Sequence, residues 1–221
     1  FFEDANLENA LPFLVNAGIQ NGGQTCSASS RILVHRSRYD EVIARMSQKY
    51  QELVVRPAID DGALGPLISE RQKLIVEDFI SKGQDLNLVA QGEIDGNVPE
   101  NGHYVAPHLF ADVSDDHILA KEEVFGRVQV IMPFDTEEEA INIANGTDYG
   151  LVASIWTSDG ARQMRLAKKL KSGQVFINNY GAGGGVELPF GGRGFSGHWR
   201  EKGFEALFSF STLKTVASYH Q

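Results

Sequence analysis

Apolar residues recur along this chain at two spacings, one typical of helices and one typical of strands. In residues 7–19 they fall three or four positions apart, for example at Leu7, Leu11 and Leu14, which predicts an amphipathic helix. Residues 31–35, Arg-Ile-Leu-Val-His, predict a strand. By the same criteria the predicted helices lie at 7–19, 37–54, from 69 onward, 136–146 and 161–170. The predicted strands lie at 31–35, 86–90, 104–110, 128–132, 151–156 and 174–178.

Polar residues that favour helix N-termini precede several of the predicted helices. Asp4 and Asn6 are available to cap the first helix, and Ser37, Ser69 and Thr136 precede later ones. Because short polar side chains accept hydrogen bonds from unpaired helix N–H groups, these positions predict where the helices begin.

Strands and helices alternate along the chain, and the strands are short and apolar. This order is typical of a mainly parallel sheet covered by helices on both faces. The fold class predicted is therefore α/β, a three-layer αβα sandwich, and residues 1–221 show no linker or internal repeat that would divide them. The last apolar segment, 208–217, predicts either an edge strand or an arm that reaches a partner.

Composition removes several classes of function. Of 221 residues, 42% are hydrophobic and 22% charged, as in ordinary globular proteins, and the net charge of −9 disfavours binding to nucleic acid or anionic lipid. No apolar run approaches the ~20 residues that a membrane helix needs. The acidic Phe-Phe-Glu-Asp start does not resemble a signal peptide, so we expect a cytoplasmic location; without an initiator Met, we expect a fragment of a longer chain.

The single cysteine, Cys26, can form neither an internal disulfide nor a Cys-rich zinc site. A free cysteine is often a small buried hydrophobe. Here, however, glycines 22 and 23 precede it and small residues follow it, which favours an accessible thiol and allows a nucleophilic role.

Other motifs are open to more than one interpretation. Glu122 and Glu123 are either a solvated pair or carboxylates of a site, and alternation along a strand would direct at most one of them into that site. Residues 192–197 match Gly-x-Gly-x-x-Gly, but no strand feeds them and the chain is nearly finished, so a dinucleotide fold is disfavoured there. The glycine-rich segment 181–185 lacks the Lys of a phosphate-binding loop and predicts a flexible loop at a binding mouth. The histidine spacings predict no metal site.

Five motifs taken together resemble the aldehyde dehydrogenase superfamily in residue type, order and rough separation. They are Gly-Gln-Thr-Cys (23–26), Glu-Glu-Val-Phe-Gly (122–126), Asn178-Asn179, Pro-Phe-Gly-Gly (189–192) and Ser-Gly-His-Trp-Arg-Glu (196–201). The likeness covers essentially the whole chain and corresponds to the catalytic half of such an enzyme.

The resemblance implies a catalytic role for Cys26, which would attack an aldehyde to form a thiohemiacetal. Hydride transfer to NAD or NADP would leave a thioester for water to hydrolyse, with the Cys26 main-chain N–H donating to the oxyanion. Glu123 would bind the nicotinamide-side ribose and Phe125 would lie beside the nicotinamide. Gln72 matches a position near the same ribose, although Ser69-x-x-Gln72 is equally a capping box. The expected substrate-lining residues are Thr25, Ser27 and Phe190.

The sequence departs from the family pattern in several places. Arg127 stands where a Pro is usual, and Arg193 is the nearest base where a Lys commonly precedes Ser-Gly. The family's Glu-Leu-Gly-Gly motif, an oxyanion-hole Asn and the cofactor-binding Rossmann half are absent. The expected partners are therefore an aldehyde, the chain's own missing N-terminal cofactor domain and further copies in a homo-oligomer. Two alternatives remain: a truncated, non-catalytic binding or assembly module of the same fold, and a cysteine hydrolase, for which no His partner is evident.

Overall fold

The computed structural model describes residues 1–181 and 185–220. Its α-helices are α1 (Leu7–Ile19), α2 (Tyr39–Gln51), α3 (Glu70–Lys82), α4 (Ile118–Lys121), α5 (Glu137–Ala144), α6 (Gly160–Lys169) and α7 (Ala206–Ser209). Its strands are β1 (Arg31–His35), β2 (Val54–Val55), β3 (Asn87–Gln91), β4 (Glu93–Ile94), β5 (His108–Ala111), β6 (Val128–Phe134), β7 (Val152–Ile155) and β8 (Gln174–Ile177). Within the described ranges no helix has the length and apolar character to cross a bilayer.

The central sheet has the strand order β1-β6-β5-β3. Strands β1, β6 and β5 are parallel, and β3 joins β5 as an antiparallel edge strand. Two parallel pairs, β7 with β8 and β2 with β4, complete the β-structure of the described residues. The mainly parallel sheet that the alternation of elements predicts is confirmed.

Helices cover both faces of the central sheet, because alternate residues of each strand point to opposite sides. On β6, Ile131 packs with α1 and α2 in one core, whereas Val130 and Met132 pack with α3 and α4 in a second core. A third core joins α5 and α6 to β7, around Phe134 and Ile155. The predicted three-layer αβα sandwich is therefore confirmed.

Several predicted helix boundaries are confirmed at their caps. The side chains of Asn6, Ser69 and Thr136 each accept a hydrogen bond from a backbone N–H in the first turn of the following helix. The cap predicted at Ser37 is wrong: helix α2 begins at Tyr39, and Ser37 instead donates its own N–H to His35 Nδ1. The predicted continuation of that helix to 54 is also wrong, because Val54 and Val55 form strand β2.

Asp4 does not cap α1, although the sequence makes it available. Its carboxylate accepts hydrogen bonds from the hydroxyls of Thr157 and Ser158 and from Arg162, and so ties the start of the chain to α6. Burial opposes its ionisation, but the hydrogen bonds from Ser158 and Thr157 outweigh burial and lower the pKa of Asp4 to about 2.

The C-terminal segment differs from its predicted strand. Residues 206–209 form the single turn α7, and positions 211–220 are exposed with no regular structure. The isolated chain offers this segment no neighbouring strand, and the predicted oligomerisation strand at 208–217, which would pair with another chain, stays a prediction. The arm that reaches a partner stays a prediction.

Residues 192–197 form a loop, as expected from their poor match to a dinucleotide fold. The loop lies along residues 148–150: Phe195 N–H donates to the Asp148 carbonyl, and Ser196 Oγ accepts from Gly150 N–H. These bonds fasten the loop to the start of β7. Residues 182–184 of the predicted glycine-rich loop lie outside the described residues.

Candidate functional site

Cys26 occupies a tight turn just before β1. The Ala28 N–H donates to the Thr25 carbonyl at 3.0 Å, which places Cys26 and Ser27 at the two central positions of the turn. The Cys26 thiol is exposed, whereas Ser27 is buried. The Cys26 N–H makes no hydrogen bond to the described part of the chain. The turn therefore presents both a thiol and a free N–H.

Two glycines bring the cysteine loop against the Glu-Glu-Val-Phe-Gly loop. Gly23 has φ +75°, and a Cβ built on it would lie 2.2 Å from the carbonyl oxygen of Gly126. Such a distance is far shorter than any real contact, so only glycine allows this approach. The backbone contact places the Cys26 loop and the Glu123 loop side by side.

Arg127, the residue that departs from the family pattern, lies beneath this contact and is 1% exposed. Its guanidinium donates to the carbonyl of Val105 at 2.8 Å and to that of Gly65. Burial lowers the pKa of Arg127 to about 10. The charge of Arg127 is therefore buried, and its guanidinium connects its own loop to the backbone of Val105 and of Gly65.

Residues 122–125 form an irregular loop, so strand alternation does not orient their side chains. Phe125 has φ +52°, which breaks any strand. Nevertheless Glu123 and Phe125 are both exposed and Val124 between them is buried. Glu122 and Glu123 both line the same cavity, which corrects the expectation that at most one of them would do so.

Gln72 supports this loop from helix α3. Its backbone N–H donates to Ser69 Oγ, as a capping box predicts, but its side-chain amide donates to the main-chain carbonyls of Val124 at 3.3 Å and Phe125 at 3.0 Å. Gln72 does not line the cavity among the described residues. Its predicted contact with a ribose stays a prediction.

One cavity of about 260 Å³ connects the predicted site residues. The predicted residues that line it are Thr25, Cys26, Ser27, Glu123 and Phe125. Phe190 is not among the described residues that line the cavity: it pairs with Glu201 through two backbone hydrogen bonds of 2.7 Å, with Lys202 over its ring at 5.5 Å. The substrate-lining role of Phe190 stays a prediction.

Two tyrosines of the cavity were not predicted from the sequence. Tyr180 follows β8, and burial together with the nearby Cys26 raises its pKa to about 12. Its hydroxyl is buried without a hydrogen-bond partner of good geometry among the described residues. Burial, with the carboxylates of Glu122 and Glu123, also raises the pKa of Tyr149. The sequence signals beside Tyr180 were Asn178-Asn179 and the glycine-rich segment 181–185, and neither of them indicated the tyrosine itself.

Gln129 of β6 binds the backbone that follows the turn containing Cys26. Its fully buried amide donates to the carbonyls of Leu14 at 3.1 Å and Ser29 at 2.5 Å, and its oxygen accepts from the Tyr50 hydroxyl. A Cβ on Gly18 would lie 2.0 Å from this side chain, so Gly18 leaves the space that Gln129 occupies. Within the described ranges no group of three or more His, Cys, Asp or Glu side chains is placed to hold a metal ion.

Comparison with known proteins identifies the family of this chain. The sequence profile of the aldehyde dehydrogenase family matches residues 1–216. Betaine aldehyde dehydrogenase 1 of Rhizobium meliloti is 38% identical over 218 residues, which are 97% of this chain and 45% of that protein. The chain thus spans about half the length of the curated relatives it matches.

Solved structures agree in fold as well as sequence. A protein from Burkholderia cenocepacia assigned as an aldehyde dehydrogenase superposes with a TM-score of 0.95 at 56% identity, covering 97% of this chain and 46% of that one. The NAD⁺ complex of aldehyde dehydrogenase from Bacillus cereus superposes with a TM-score of 0.90 at 38% identity, covering 97% and 43%. The chain belongs to the aldehyde dehydrogenase family.

Proposed function

We propose that this chain is the catalytic domain of an NAD(P)-dependent aldehyde dehydrogenase, with Cys26 as its nucleophile. One observation carries the proposal: an exposed thiol with a free main-chain N–H shares a cavity with the exposed Glu123 and Phe125. Nucleophile, oxyanion donor and cofactor-facing groups are thereby within one space.

In the proposed reaction, the Cys26 thiolate attacks the aldehyde carbon, and a C–S bond forms as the carbonyl oxygen gains negative charge. The Cys26 N–H, which bonds to no other described residue, donates to that oxygen. Collapse of the adduct breaks its C–H bond and releases a hydride, for which a bound NAD or NADP would be the acceptor, and it leaves a thioester on Cys26 that water hydrolyses to the carboxylic acid. No group of this chain is assigned as the base for hydrolysis.

The residues present fit the nicotinamide end of NAD or NADP. The Glu123 carboxylate is exposed and offers acceptors for ribose hydroxyls, and the exposed Phe125 ring offers an apolar surface. Gln72 fixes the loop that carries them. When bound, the cofactor supplies the hydride acceptor. Since the chain spans 45% of its first relative, we propose that the rest of the dinucleotide site lies in a separate cofactor domain.

The first test is alkylation of the folded chain by iodoacetamide. Cys26 is the only thiol, so incorporation reports on it alone, and Cys26→Ala sets the background. A matched control, Cys26→Ala with Val42→Cys, carries its thiol at a position with 0% exposure. We expect Cys26 to react without denaturant and the control to react only after unfolding. Equal protection of both thiols would overturn the proposal.

The second test is turnover. We expect residues 1–221 alone to show neither measurable NADH production at 340 nm nor tight NAD(P) binding by calorimetry, because one missing oxyanion donor alone costs on the order of 10²–10³ in rate. A longer protein containing this chain should be active and should lose activity on Cys26→Ala. Robust turnover by the chain alone would contradict the assignment of groups to a second domain.

An assembly role is the second candidate, and a specific observation favours it. Large apolar side chains of the C-terminal segment are exposed, among them Phe208, Phe210 and Leu213, at 77%, 91% and 103%. Exposed apolar surface of this kind marks interaction sites. We propose that this segment contacts another copy of the protein, an idea compatible with the catalytic role.

A further inference from the structure

The Asn178-Asn179 motif fixes the chain where it leaves β8, although neither residue takes part in the chemistry proposed above. Asn178 directly follows β8, has φ +48°, and donates its N–H to the Ile155 carbonyl at 2.8 Å. Its side chain makes two further bonds with Thr157: Oδ1 accepts from the Thr157 N–H and Nδ2 donates to the Thr157 carbonyl, each at 3.0 Å. The backbone therefore turns away from β8 at a fixed position.

Asn179 fixes the next step of the chain. Its carbonyl accepts from Ser154 Oγ of β7 at 2.7 Å, and its side-chain oxygen accepts from the Tyr180 N–H at 2.8 Å. Tyr180 lines the cavity that contains Cys26. The two asparagines thus hold the backbone from which the tyrosine reaches this cavity.

The Tyr180 hydroxyl is a buried donor without an acceptor of good geometry among the described residues. A buried polar group that lacks a partner costs free energy, and such groups are rare in folded proteins. Among the described residues that line the cavity, Tyr180 is the one with a buried side-chain polar atom in this condition. Its position therefore needs a reason other than the stability of the fold.

The polar groups next to this hydroxyl belong to the turn of Cys26. Burial is the main reason that the pKa of Tyr180 rises to about 12, while a loose contact with Ser27 lowers this pKa and the charge of Cys26 raises it. The Ser27 hydroxyl already lies 3.4 Å from Thr25 Oγ1. A phenol with this pKa keeps its proton at neutral pH, so beside Cys26 it is a donor.

The cations that line the same cavity are bound elsewhere. Arg31 and Lys121 both donate to main-chain carbonyls at the C-terminal end of α5, at 2.6–3.0 Å. An anion in the cavity would thus find in Tyr180 a neutral donor whose proton is not already shared. The other titratable side chains of the described lining are acids, and they would not stabilise a negative charge on sulfur: Glu122, Glu123 and Tyr149.

We propose that Tyr180 is a further catalytic residue, whose hydroxyl donates a hydrogen bond to the Cys26 sulfur once the thiol has lost its proton. The thiol proton leaves to solvent, and the Tyr180 proton stays on its own oxygen. The hydrogen bond stabilises the thiolate, which is the form that attacks an aldehyde. The inference rests on the proposed function, because it adds a donor to the nucleophile assigned there.

The test compares the 221-residue chain with Tyr180→Phe, which keeps the ring and removes the hydroxyl. The thiolate displaces iodide from iodoacetamide, so the alkylation rate depends on the amount of thiolate and on its nucleophilicity. Loss of a hydrogen bond to a charged group should leave about tenfold less thiolate at pH 7. The thiolate that remains should be about threefold more nucleophilic, so alkylation should be about threefold slower.

At pH 10 the order of the two rates should reverse. Most thiols are ionised at this pH, so the difference in nucleophilicity remains and Tyr180→Phe should react about twofold faster than the parent chain. Reduced access to the thiol would slow the reaction at both pH values, and a loosened fold would speed it at both. Equal rates of parent and variant, or a change in the same direction at pH 7 and pH 10, would overturn the proposal.

Two further variants serve as controls. Cys26→Ala gives the background from other nucleophiles at each pH. Tyr104→Phe is the matched control, because Tyr104 packs against the first core and is not among the described residues that line the cavity. Its rates should stay within about 1.5-fold of the parent at both pH values. A reversal of rates in Tyr104→Phe as well would overturn the assignment to Tyr180.

Ser27→Ala decides whether Tyr180 acts on the sulfur directly. We expect Tyr180→Phe to have the same effect with serine or alanine at position 27, since its hydroxyl donates to the sulfur and not through Ser27. An effect that vanishes in the Ser27→Ala background would overturn the proposal. A longer protein containing this chain that still oxidises aldehydes after Cys26→Ala would instead contradict the proposed function, while the alkylation rates would still report on Tyr180 and Cys26.

Discussion

The backbone of Gly23 touches the carbonyl of Gly126, and this contact joins the loop of the thiol to the loop of the predicted cofactor-binding residues. Gly23→Ala would place a Cβ 2.2 Å from that carbonyl at φ +75°. We expect a loss of about 2–4 kcal/mol in unfolding free energy and slower alkylation of Cys26, because the loops must separate.

The matched control for this change is Gly65→Ala, where an added Cβ meets nothing within 4 Å. Urea denaturation should show that variant within about 0.5 kcal/mol of the parent. Equal stability of both alanine variants would show that the two loops do not depend on the Gly23 contact.

Arg127→Ala should destabilise the chain by about 2–4 kcal/mol, because it leaves a large void and removes the donors to the carbonyls of Val105 and Gly65. Arg127→Met, which keeps most of the volume, should recover part of the loss. Arg193→Ala, at an exposed position, is the control for loss of charge. Thermal unfolding that ranks Arg193→Ala with Arg127→Ala would contradict a supporting role for Arg127.

Asp4 makes a pH-dependent contribution to stability. Its pKa falls from 3.8 to about 2 on folding, so the carboxylate stabilises the fold above about pH 4, and this contribution is lost as pH falls through about 2. At pH 7, Asp4→Asn should cost about 1.5–3 kcal/mol through weaker bonds to Thr157, Ser158 and Arg162.

The difference between Asp4→Asn and the parent should shrink between pH 4 and pH 2, as urea titrations at each pH would measure. Asp115→Asn, at an exposed carboxylate, is the control for the loss of one surface charge and should cost less than about 0.5 kcal/mol at pH 7. A difference that grows as pH falls would contradict the low pKa of Asp4.

Removal of 209–221 from a longer protein that contains this chain should weaken its oligomer. The exposed Phe210, Leu213 and Val216 would be lost with it. Light scattering should report a lower mass for the truncated protein, and replacement of Ser218 by Ala is a control that should leave the mass unchanged. An unchanged mass after truncation would count against the predicted arm.

Local signals predicted most elements, because caps and periodicity act over a few residues. Asn6, Ser69 and Thr136 cap their helices as predicted, since each can bond to the first turn of its own helix. Ser37 is not a cap, because it lies inside a 3₁₀ turn, Arg36–Arg38, which His35 caps by accepting the Ser37 N–H. Asp4 does not cap α1, because Thr157 and Ser158, more than 150 residues away, donate hydrogen bonds to its carboxylate. No local pattern in the sequence predicts these partners.

The spacing of residues along the sequence does not show which distant loops meet in the candidate site. Periodicity could not bring Cys26 next to Glu123, because the approach depends on a glycine contact between distant loops; only the ordered motifs indicated it. Strand alternation predicted that at most one of Glu122 and Glu123 would face the site, but no strand forms there: Phe125 has a positive φ, and both carboxylates line the cavity. Tyr180 carries no signal of its own.

The fit of Gln129 into the space left by Gly18 constrains two distant positions as one. Any side chain at position 18 would collide with the Gln129 amide. Any shorter residue at position 129 would open a void beside helix α1 and would leave the Tyr50 hydroxyl and the Ser29 carbonyl without their hydrogen bonds to Gln129. Neither position can therefore change alone without loss. In sequences that share this core, a residue larger than glycine at 18 should occur only with a smaller residue at 129, and such paired replacement would show that one packing constraint acts on both positions.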